Sequence, residues 1–181
     1  MKLTGELVEL RDFRLDDAGA VPTWTSDPEV ARFMTWDADV GDGARAVQFV
    51  ERQMALADER PRAIYELAMV ERSTGLIVGG AGLRVRDWRD QRADLGYVLR
   101  RDRWGRGYTT DAVRLLIALG FELGMHRIEA TCFPDNRASA RVMEKNGLRF
   151  EGQMRHVHFV RGQWRDALLY AIIAGEVSPA R

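Results

Sequence analysis

The stretch from Leu95 to Gly124 contains the residues whose types and spacing could do chemistry in this 181-residue chain. At its centre is the segment RWGRGYTT, in which Gly105 and Gly107 permit backbone geometries and close approaches that a Cβ would block. Successive main-chain N–H groups just before a helix form a cradle for anions, and the helix dipole reinforces it. Arg103 and Arg106 add positive charge beside this cradle. The segment therefore predicts a site for an organic pyrophosphate; the alternative is an ordinary loop whose glycines only turn the chain.

Two other phosphate-binding motifs are excluded by the same residues. A P-loop requires Gly-Lys-Ser/Thr, and no lysine lies in this stretch. The dinucleotide fingerprint requires a third small residue three positions after Gly107, where this chain has Thr110. What remains is a short Gly-x-Gly, which is a weak signal by itself.

The elements on either side of the turn must position it. Leu95–Leu99 is a short apolar run with aromatic and β-branched residues, which is typical of a buried strand. After the turn, Thr109 and Thr110 are expected to cap a helix, and Asp111 adds a negative charge to its first turn. Apolar residues then recur at helical spacing as far as Gly124, where we expect the helix to end.

The remaining elements indicate one domain of the α/β class, residues 1–181. Besides the central strand, strands are predicted at Leu3–Leu10, Ile64–Val70, Leu76–Val85, Arg127–Phe133, Leu148–Val160 and Trp164–Ala174. Asp16 and Asp17 precede a predicted helix that extends to about Met34, with Pro22 near its start and a break at Pro28. Further helices are predicted over 44–58 and 136–145. The three glycines at 79, 80 and 82 mark close packing or a bulge. This order indicates one mixed sheet with helices on both faces.

Composition limits the classes of partner. The 27 basic and 27 acidic residues balance, so no overall field favours nucleic acid or a membrane surface. Residues 84–106, however, hold eight arginines against four aspartates, which favours a small polyanionic ligand; the alternative is a solvated charged loop at Arg84–Arg92. A single cysteine, Cys132, no apolar signal segment and no long apolar run predict a cytoplasmic protein. The three histidines lack the neighbours of a metal site.

The stretch from Gly96 to Ile173 resembles the GNAT superfamily of acyl-CoA-dependent N-acetyltransferases, and in particular its RimJ/RimL-like branch. Four segments stand in the family's order and spacing: LGYVL, RWGRGYTTDA, RIEATCFPDNRASARVMEKNGL and RGQWRDALLYAII. The resemblance implies the GNAT fold, with a mixed, mostly antiparallel seven-stranded sheet, helices on both faces and splayed central strands. It implies transfer of the acetyl group of acetyl-CoA to a primary amine of a protein N-terminus or small molecule, with no metal. A noncatalytic acyl-CoA-binding sensor or scaffold is the alternative, and a homodimer is left open.

The resemblance also implies where the cosubstrate binds. The pyrophosphate would lie on the turn formed by Arg103, Trp104, Gly105, Arg106, Gly107, Tyr108 and Thr109. The pantetheine arm would pair with the central strand at Tyr97, Val98 and Leu99, and Asn136 would anchor it. Asp102 stands where the family often has Gln or Arg. Because main-chain groups form the cradle, this departure is expected to matter little.

Catalysis requires a polarised thioester carbonyl, a protonated leaving thiolate and a neutral amine. A main-chain N–H near Val98 or Leu99 would polarise the carbonyl. The tyrosine that relatives often use as the acid is replaced here by Met143, which leaves Ser139 as the candidate; the alternative is that Ser139 only caps or packs the helix. Glu129 is the candidate base, unless it is an ion-paired strand residue.

The acceptor site is predicted between the Trp24–Asp42 segment and the hairpin that includes His156. The residues proposed to contact the acceptor are Trp36, Asp37, Asp39, His156 and His158. The acidic side chains suit a protonated amine, although an acidic loop before a helix and exposed hairpin histidines need no such role. Protein N-termini, polyamines, amino sugars and other small amines all remain open as acceptors.

Overall fold

The computed structural model describes residues 1–38 and 43–176, and its centre is an eight-stranded sheet. The strand order across the sheet is β1-β2-β3-β4-β5-β6-β8-β7, and every neighbouring pair is antiparallel except β5 and β6. The strands are β1 (Lys2–Thr4), β2 (Val8–Asp12), β3 (Ile64–Glu71), β4 (Ile77–Asp87), β5 (Arg92–Leu99), β6 (Arg127–Cys132), β7 (Arg149–Val160) and β8 (Gln163–Ile173).

Five α-helices accompany this sheet, with 3₁₀ turns at Leu15–Ala20 and Arg101–Arg103. They are α1 (Pro22–Thr25), α2 (Pro28–Ala31), α3 (Gly43–Asp58), α4 (Tyr108–Glu122) and α5 (Arg137–Lys145). The broken helix predicted before Met34 is confirmed, because Pro22 and Pro28 each begin a new helix of one turn. Among these described helices, none combines the length and apolarity that a membrane crossing requires.

The strand predicted over Leu3–Leu10 is wrong as a single element, and this explains why the sheet has eight strands rather than seven. The chain turns back between β1 and β2, where the Gly5 N–H donates to the Val8 carbonyl at 2.8 Å. The Asp111 carboxylate of α4 accepts the N–H groups of Leu7 (2.7 Å) and Val8 (3.1 Å) in this turn. A Cβ at Gly5 would collide with Asp111. The contact with α4 is distant in sequence, so local patterning could not predict it.

The start of α4 also differs from the prediction. Thr109 and Thr110 lie inside the helix, and the N-cap residue is Gly107 in the left-handed region (φ 86°), with no side-chain cap. Asp111 lies in the first turn of the helix as predicted, and its side chain is buried. Burial opposes its ionisation, but hydrogen bonds from Leu7 and Arg114 outweigh that cost and lower the pKa of its carboxyl. At the other end, Gly124 (φ 81°) ends the helix as predicted.

The two faces of the sheet carry different cores. One core packs α4 against β2–β5, with Leu10, Leu67 and Leu116 almost fully buried. The second core lies under α1 and α3, where Trp24 and Val50 are buried over Ala68. Helices on both faces were predicted, and this arrangement confirms them.

The two parallel strands separate soon after they meet. The β5–β6 ladder contains three residue pairs, from Arg92 opposite Arg127 to Asp94 opposite Glu129. Beyond Asp94, β5 continues to Leu99 paired with β4 alone. The predicted splay of the central strands is therefore present, and it leaves one edge of β5 open over residues 95–99.

Candidate active site

The turn between β5 and α4 has the geometry of an anion cradle. Gly105 (φ 75°) and Gly107 (φ 86°) both adopt the left-handed conformation. The main-chain N–H groups from Gly105 to Thr110 make no hydrogen bond to any residue that the structure describes, and no side chain caps α4. Several N–H groups therefore converge at a helix N-terminus, where the helix dipole also favours negative charge.

Two acidic residues, Asp102 and Glu71, form ion pairs with arginines in and next to this turn. Asp102 accepts hydrogen bonds from Arg100 and Arg103, both at 2.6 Å, so the residue that departs from the family pattern orders the turn. Glu71 is almost fully buried at the end of β3. Its carboxylate accepts a hydrogen bond from the Tyr108 hydroxyl and another from Arg103 at 3.4 Å. The hydrogen bond from Tyr108 is the main reason why the pKa of Glu71 is lowered.

A narrow groove of about 160 Å³ runs from this turn along the open edge of β5. Its lining includes Tyr97, Val98, Leu99, Trp104, Gly105, Thr109, Asn136 and Ser139. The Arg100 N–H donates to Val78 of β4, and a Cβ at Gly79 would collide with the Val98 carbonyl. Main-chain groups alternate along a strand, so those of Tyr97 and Leu99 face the groove while those of Val98 face β4. The Leu99 carbonyl is already bound by the Trp104 indole N–H at 2.9 Å.

Ser139 forms a small hydrogen-bonded cluster at the inner end of this groove. Its Oγ lies 2.7 Å from the Tyr97 hydroxyl, and its N–H donates to Asn136 Oδ1 at 3.1 Å, which caps α5. Burial raises the pKa of Tyr97, so its hydroxyl stays protonated and can donate. Burial also raises the pKa of the nearby Cys132 thiol to about 11, although a hydrogen bond with Ser139 acts in the opposite direction and lowers it. Met143 is fully buried and supplies no polar group.

A second, larger cavity of about 680 Å³ lies on the α3 side of the sheet. Aromatic side chains form much of its wall, and small residues of β4 and β5 form part of its floor; these are Phe13, Trp24, Trp36, Phe49, Gly80 and Gly96. Tyr97, Val98 and Met34 line both the cavity and the groove. The two spaces therefore meet at β5, next to the Ser139 cluster.

Sequence reasoning missed one acidic residue in this cavity, Glu66 of β3. Burial raises the pKa of its carboxyl, Arg84 opposes the shift, and Asp94 adds to it. The only available signal was a glutamate in the otherwise apolar strand IYELAMV. Its register opposite Gly82 could not be deduced without the pairing of β3 with β4.

Comparisons with known proteins agree with this geometry. The family model described as "Acetyltransferase (GNAT) domain" matches residues 8–149. The chain belongs to the GNAT family. It is 29% identical to the uncharacterized N-acetyltransferase p20 of Bacillus licheniformis over 174 residues, 94% of this chain and 95% of that protein. Together with the family match, this identifies an acetyl-CoA-dependent N-acetyltransferase.

Two solved GNAT structures show the same architecture. Mycobacterium smegmatis RimJ, in complex with CoA-disulfide, aligns with a TM-score of 0.78 and 27% identity over 96% of this chain and 85% of that one. The microcin C7 self-immunity acetyltransferase MccE, in complex with acetyl-CoA and AMP, aligns with a TM-score of 0.81 and 22% identity over 93% of both chains. The first supports the RimJ/RimL-like branch, and the second shares the fold.

Three of the predicted catalytic and acceptor residues that the structure describes line neither the groove nor the larger cavity of this GNAT protein. Glu129 lies where the β5–β6 ladder ends, in ion pairs with Arg127 (3.1 Å) and Arg92 (3.4 Å), and is part of neither lining. His156 is exposed, in a bulge of β7, and its ring stacks on Trp164. His158 packs edge-on against Phe133. Neither histidine contributes to the lining of the groove or the cavity.

The predicted acceptor segment of the GNAT chain does reach the cavity. Trp36 and Asp37 are part of its wall, whereas Asp39 lies outside the described residues. Arg161, in the β7–β8 turn, donates to the carbonyl groups of Ala31, Arg32, Met34 and Trp36 and pairs with Asp37 at 3.3 Å. Sequence analysis did not single out this arginine. Its hydrogen bonds connect the acceptor segment to the β7–β8 hairpin.

Proposed function

We propose that the protein transfers acetyl from acetyl-CoA directly to a primary amine bound in the larger cavity. The observation that carries this proposal is that two spaces of different character meet at Tyr97 and Val98. The narrow groove begins at the anion cradle and follows an open strand edge. The wider cavity has an aromatic wall and contains carboxylates, which suits an organic ammonium ion.

The groove would hold the cosubstrate. The turn from Arg103 to Thr109 would bind the pyrophosphate through main-chain N–H groups. The pantetheine arm would then pair with β5 as an added strand, using the groups of Tyr97 and Leu99 that face the groove. One of these two N–H groups would polarise the thioester carbonyl, because the Val98 N–H points into β4. Asn136 still has its side-chain NH₂ available for the arm, since Oδ1 caps α5.

Ser139 would help the thiolate to leave. The Tyr97 hydroxyl remains protonated and would donate to the Ser139 hydroxyl oxygen, 2.7 Å away, which would free the serine hydroxyl to donate to the sulfur. A thiol of pKa ~8.5 leaves without much acid assistance near neutral pH, so the contribution of this pair is expected to be modest.

The acceptor would be a protein N-terminus or a small amine. RimJ is a relative at 27% identity, and a spermidine N(1)-acetyltransferase of Escherichia coli is 26% identical over 45% of this chain. Both acceptor types carry a primary or N-terminal ammonium group, which is the property that the cavity is proposed to recognise.

A screen of amines tests this function. The protein is incubated with acetyl-CoA and an N-terminal peptide, spermidine, glucosamine or benzylamine, and released thiol is measured. Amine-dependent thiol release with an acetylated product supports the proposal. Tight acetyl-CoA binding without release for any amine would instead favour a sensor or scaffold.

Direct transfer predicts that Cys132 is dispensable. The thiol is buried and its pKa is raised, so it is a poor nucleophile at neutral pH. Cys132→Ala is expected to retain most of the wild-type kcat, with intersecting lines in two-substrate kinetics. Parallel lines together with an inactive Cys132→Ala variant would indicate an acetyl-enzyme.

A further inference from the structure

Glu66 lies in a row of residues that crosses three strands of the sheet. It is opposite Gly82 of β4, and Gly82 is opposite Gly96 of β5. Residues directly opposite in a sheet share a face, so the three positions face the larger cavity side by side. A Cβ at Gly82 would collide with the Glu66 carboxylate, which shows that this side chain lies over Gly82 and extends toward β5.

The remainder of the row is open. A Cβ at Gly96 would meet no atom within 4 Å, and Gly96 lines the cavity next to Tyr97. The two glycines therefore leave a path free of side chains from the carboxylate to the strand beside which the thioester would lie. A side chain at either position would fill this path.

Two side chains in the cavity have oxygen acceptors to which no described residue donates. Glu66 receives no hydrogen bond from the residues that the structure describes. Across the cavity, Gln53 of α3 is only 7% exposed, and its buried Oε1 atom has no hydrogen-bond partner within residues 1–38 and 43–176. Leaving a buried carbonyl oxygen unpaired costs stability, so a donor from a ligand would satisfy it.

We propose, on the basis of the function above, that Glu66 and Gln53 bind the ammonium group of the acceptor and that Glu66 removes its proton. The ligand class is a primary ammonium ion on an organic body that packs against Trp24, Trp36 and Phe49. An ammonium group offers three N–H donors, which can be shared between the Glu66 carboxylate and Gln53 Oε1.

The charges around Glu66 are compatible with this role. On the sheet, Arg84 pairs with Asp94 at 3.0 Å, and Asp94 also pairs with Arg86, so Arg84 keeps part of its positive charge and favours the ionised form of Glu66. From the opposite side, Asp37, Arg45 and Arg52 line the cavity. The pKa of the Glu66 carboxyl is raised by burial, which brings it closer to that of an alkyl amine and makes proton transfer less unfavourable.

The proposed step balances as follows. The ammonium gives one proton to the Glu66 carboxylate and becomes a neutral amine. Its lone pair forms an N–C bond to the acetyl carbonyl carbon, the C–S bond breaks, and the sulfur leaves with the bonding electron pair. Ser139 gives its hydroxyl proton to the thiolate and regains a proton from the second N–H of the nitrogen, and Glu66 returns its proton to solvent.

The test compares Glu66→Gln with wild type and with Glu9→Gln, a glutamate of β2 that pairs with Lys2 at the surface. The full-length variants are assayed by thiol release with the most active alkyl amine of the panel. Glu66→Gln is expected to lower kcat about 100-fold or more, with acetyl-CoA affinity and the circular dichroism spectrum retained. Glu9→Gln is expected to behave as wild type.

The pH profile separates a base from a merely structural residue. Wild-type kcat/KM for the amine should reach a plateau between the pKa of Glu66 and that of the amine, because the enzyme deprotonates the bound ammonium. In Glu66→Gln only free amine reacts, so kcat/KM should rise about tenfold per pH unit up to the amine pKa. Glu66→Asp, which keeps a carboxylate, should restore part of the plateau.

Gln53→Met tests the second contact. It should raise the acceptor KM several-fold, while kcat and the acetyl-CoA KM change little. Wild-type kcat and an unchanged pH profile in Glu66→Gln would overturn the proposal while leaving the acetyltransferase function intact. Absence of thiol release by the wild type with every amine would instead refute the proposed function itself.

Discussion

The two spaces that meet at Tyr97 are built in opposite ways. The cosubstrate groove is made mainly of main chain: the N–H groups of one turn and one strand edge, contributed by residues that are close in sequence. The acceptor cavity is made mainly of side chains from two helices, α1 and α3, the irregular segment after α2 and three strands. A main-chain site constrains few residue types, whereas a side-chain site changes with every substitution. The contrast suggests why a family can retain one cosubstrate and vary its acceptors.

The largest effect outside the acceptor cavity is expected from the Ser139 cluster, where the two spaces join. Ser139→Ala should lower kcat by up to about 100-fold, near the lower end of general-acid contributions, and leave acetyl-CoA binding nearly unchanged. Tyr97→Phe should have a similar but smaller effect because it acts through Ser139. Wild-type kcat from pH 6 to 9 in Ser139→Ala would mean that water protonates the thiolate and that the serine is structural.

The main-chain nature of the groove can be tested with two glycines that flank α4. Gly105 precedes the helix and Gly124 follows it; both have positive φ, of 75° and 81°, and a Cβ at either would meet no protein atom within 4 Å. Each change to alanine should therefore cost a similar ~1–2 kcal/mol of stability. Only Gly105→Ala should weaken acetyl-CoA binding, by about tenfold or ~1.4 kcal/mol. Equal affinities by calorimetry would contradict the proposed position of the pyrophosphate.

The smallest effect is expected at the rim of the acceptor cavity. Asp37 is 78% exposed and its pair with Arg161 is open to solvent, so its electrostatic influence is weak. Asp37→Asn should raise the acceptor KM only two- to threefold, with the acetyl-CoA KM constant and the effect reduced by salt. A change confined to the acetyl-CoA KM would indicate that the acceptor enters from another side.

The same contrast explains how much could be predicted from sequence. The Gly105–Gly107 turn, α4 and α5 depend on local residues, and these predictions agree with the structure. The splay between β5 and β6 was expected from the family resemblance alone, and it is also present. The Thr109 and Thr110 caps were wrong because a left-handed Gly107 takes the capping position. The β1–β2 hairpin was missed because it is held by Asp111, about a hundred positions away.

The acceptor cavity was less predictable because strand register and long-range contacts create it. Glu129 is the candidate base by residue type, but its ion pairs with Arg92 and Arg127 depend on which strands are neighbours. Glu66 acquires its position only through the row that includes Gly82 and Gly96. His156 and His158 are two positions apart in β7, but a bulge between Met154 and His158 breaks the alternation that would place both on one face.

The short ladder between β5 and β6 has a consequence for folding energetics. The sheet is interrupted at its centre, and the two halves are joined there by only three residue pairs. A molecule that pairs with the free edge of β5 would act as a missing strand and make the ladder continuous across the domain. Its binding energy would then add to the unfolding free energy, by about 2.7 kcal/mol at a concentration one hundred times Kd. Cosubstrate in the cell would thus serve as a structural component, and amide exchange at Tyr97 and Leu99 would report its occupancy.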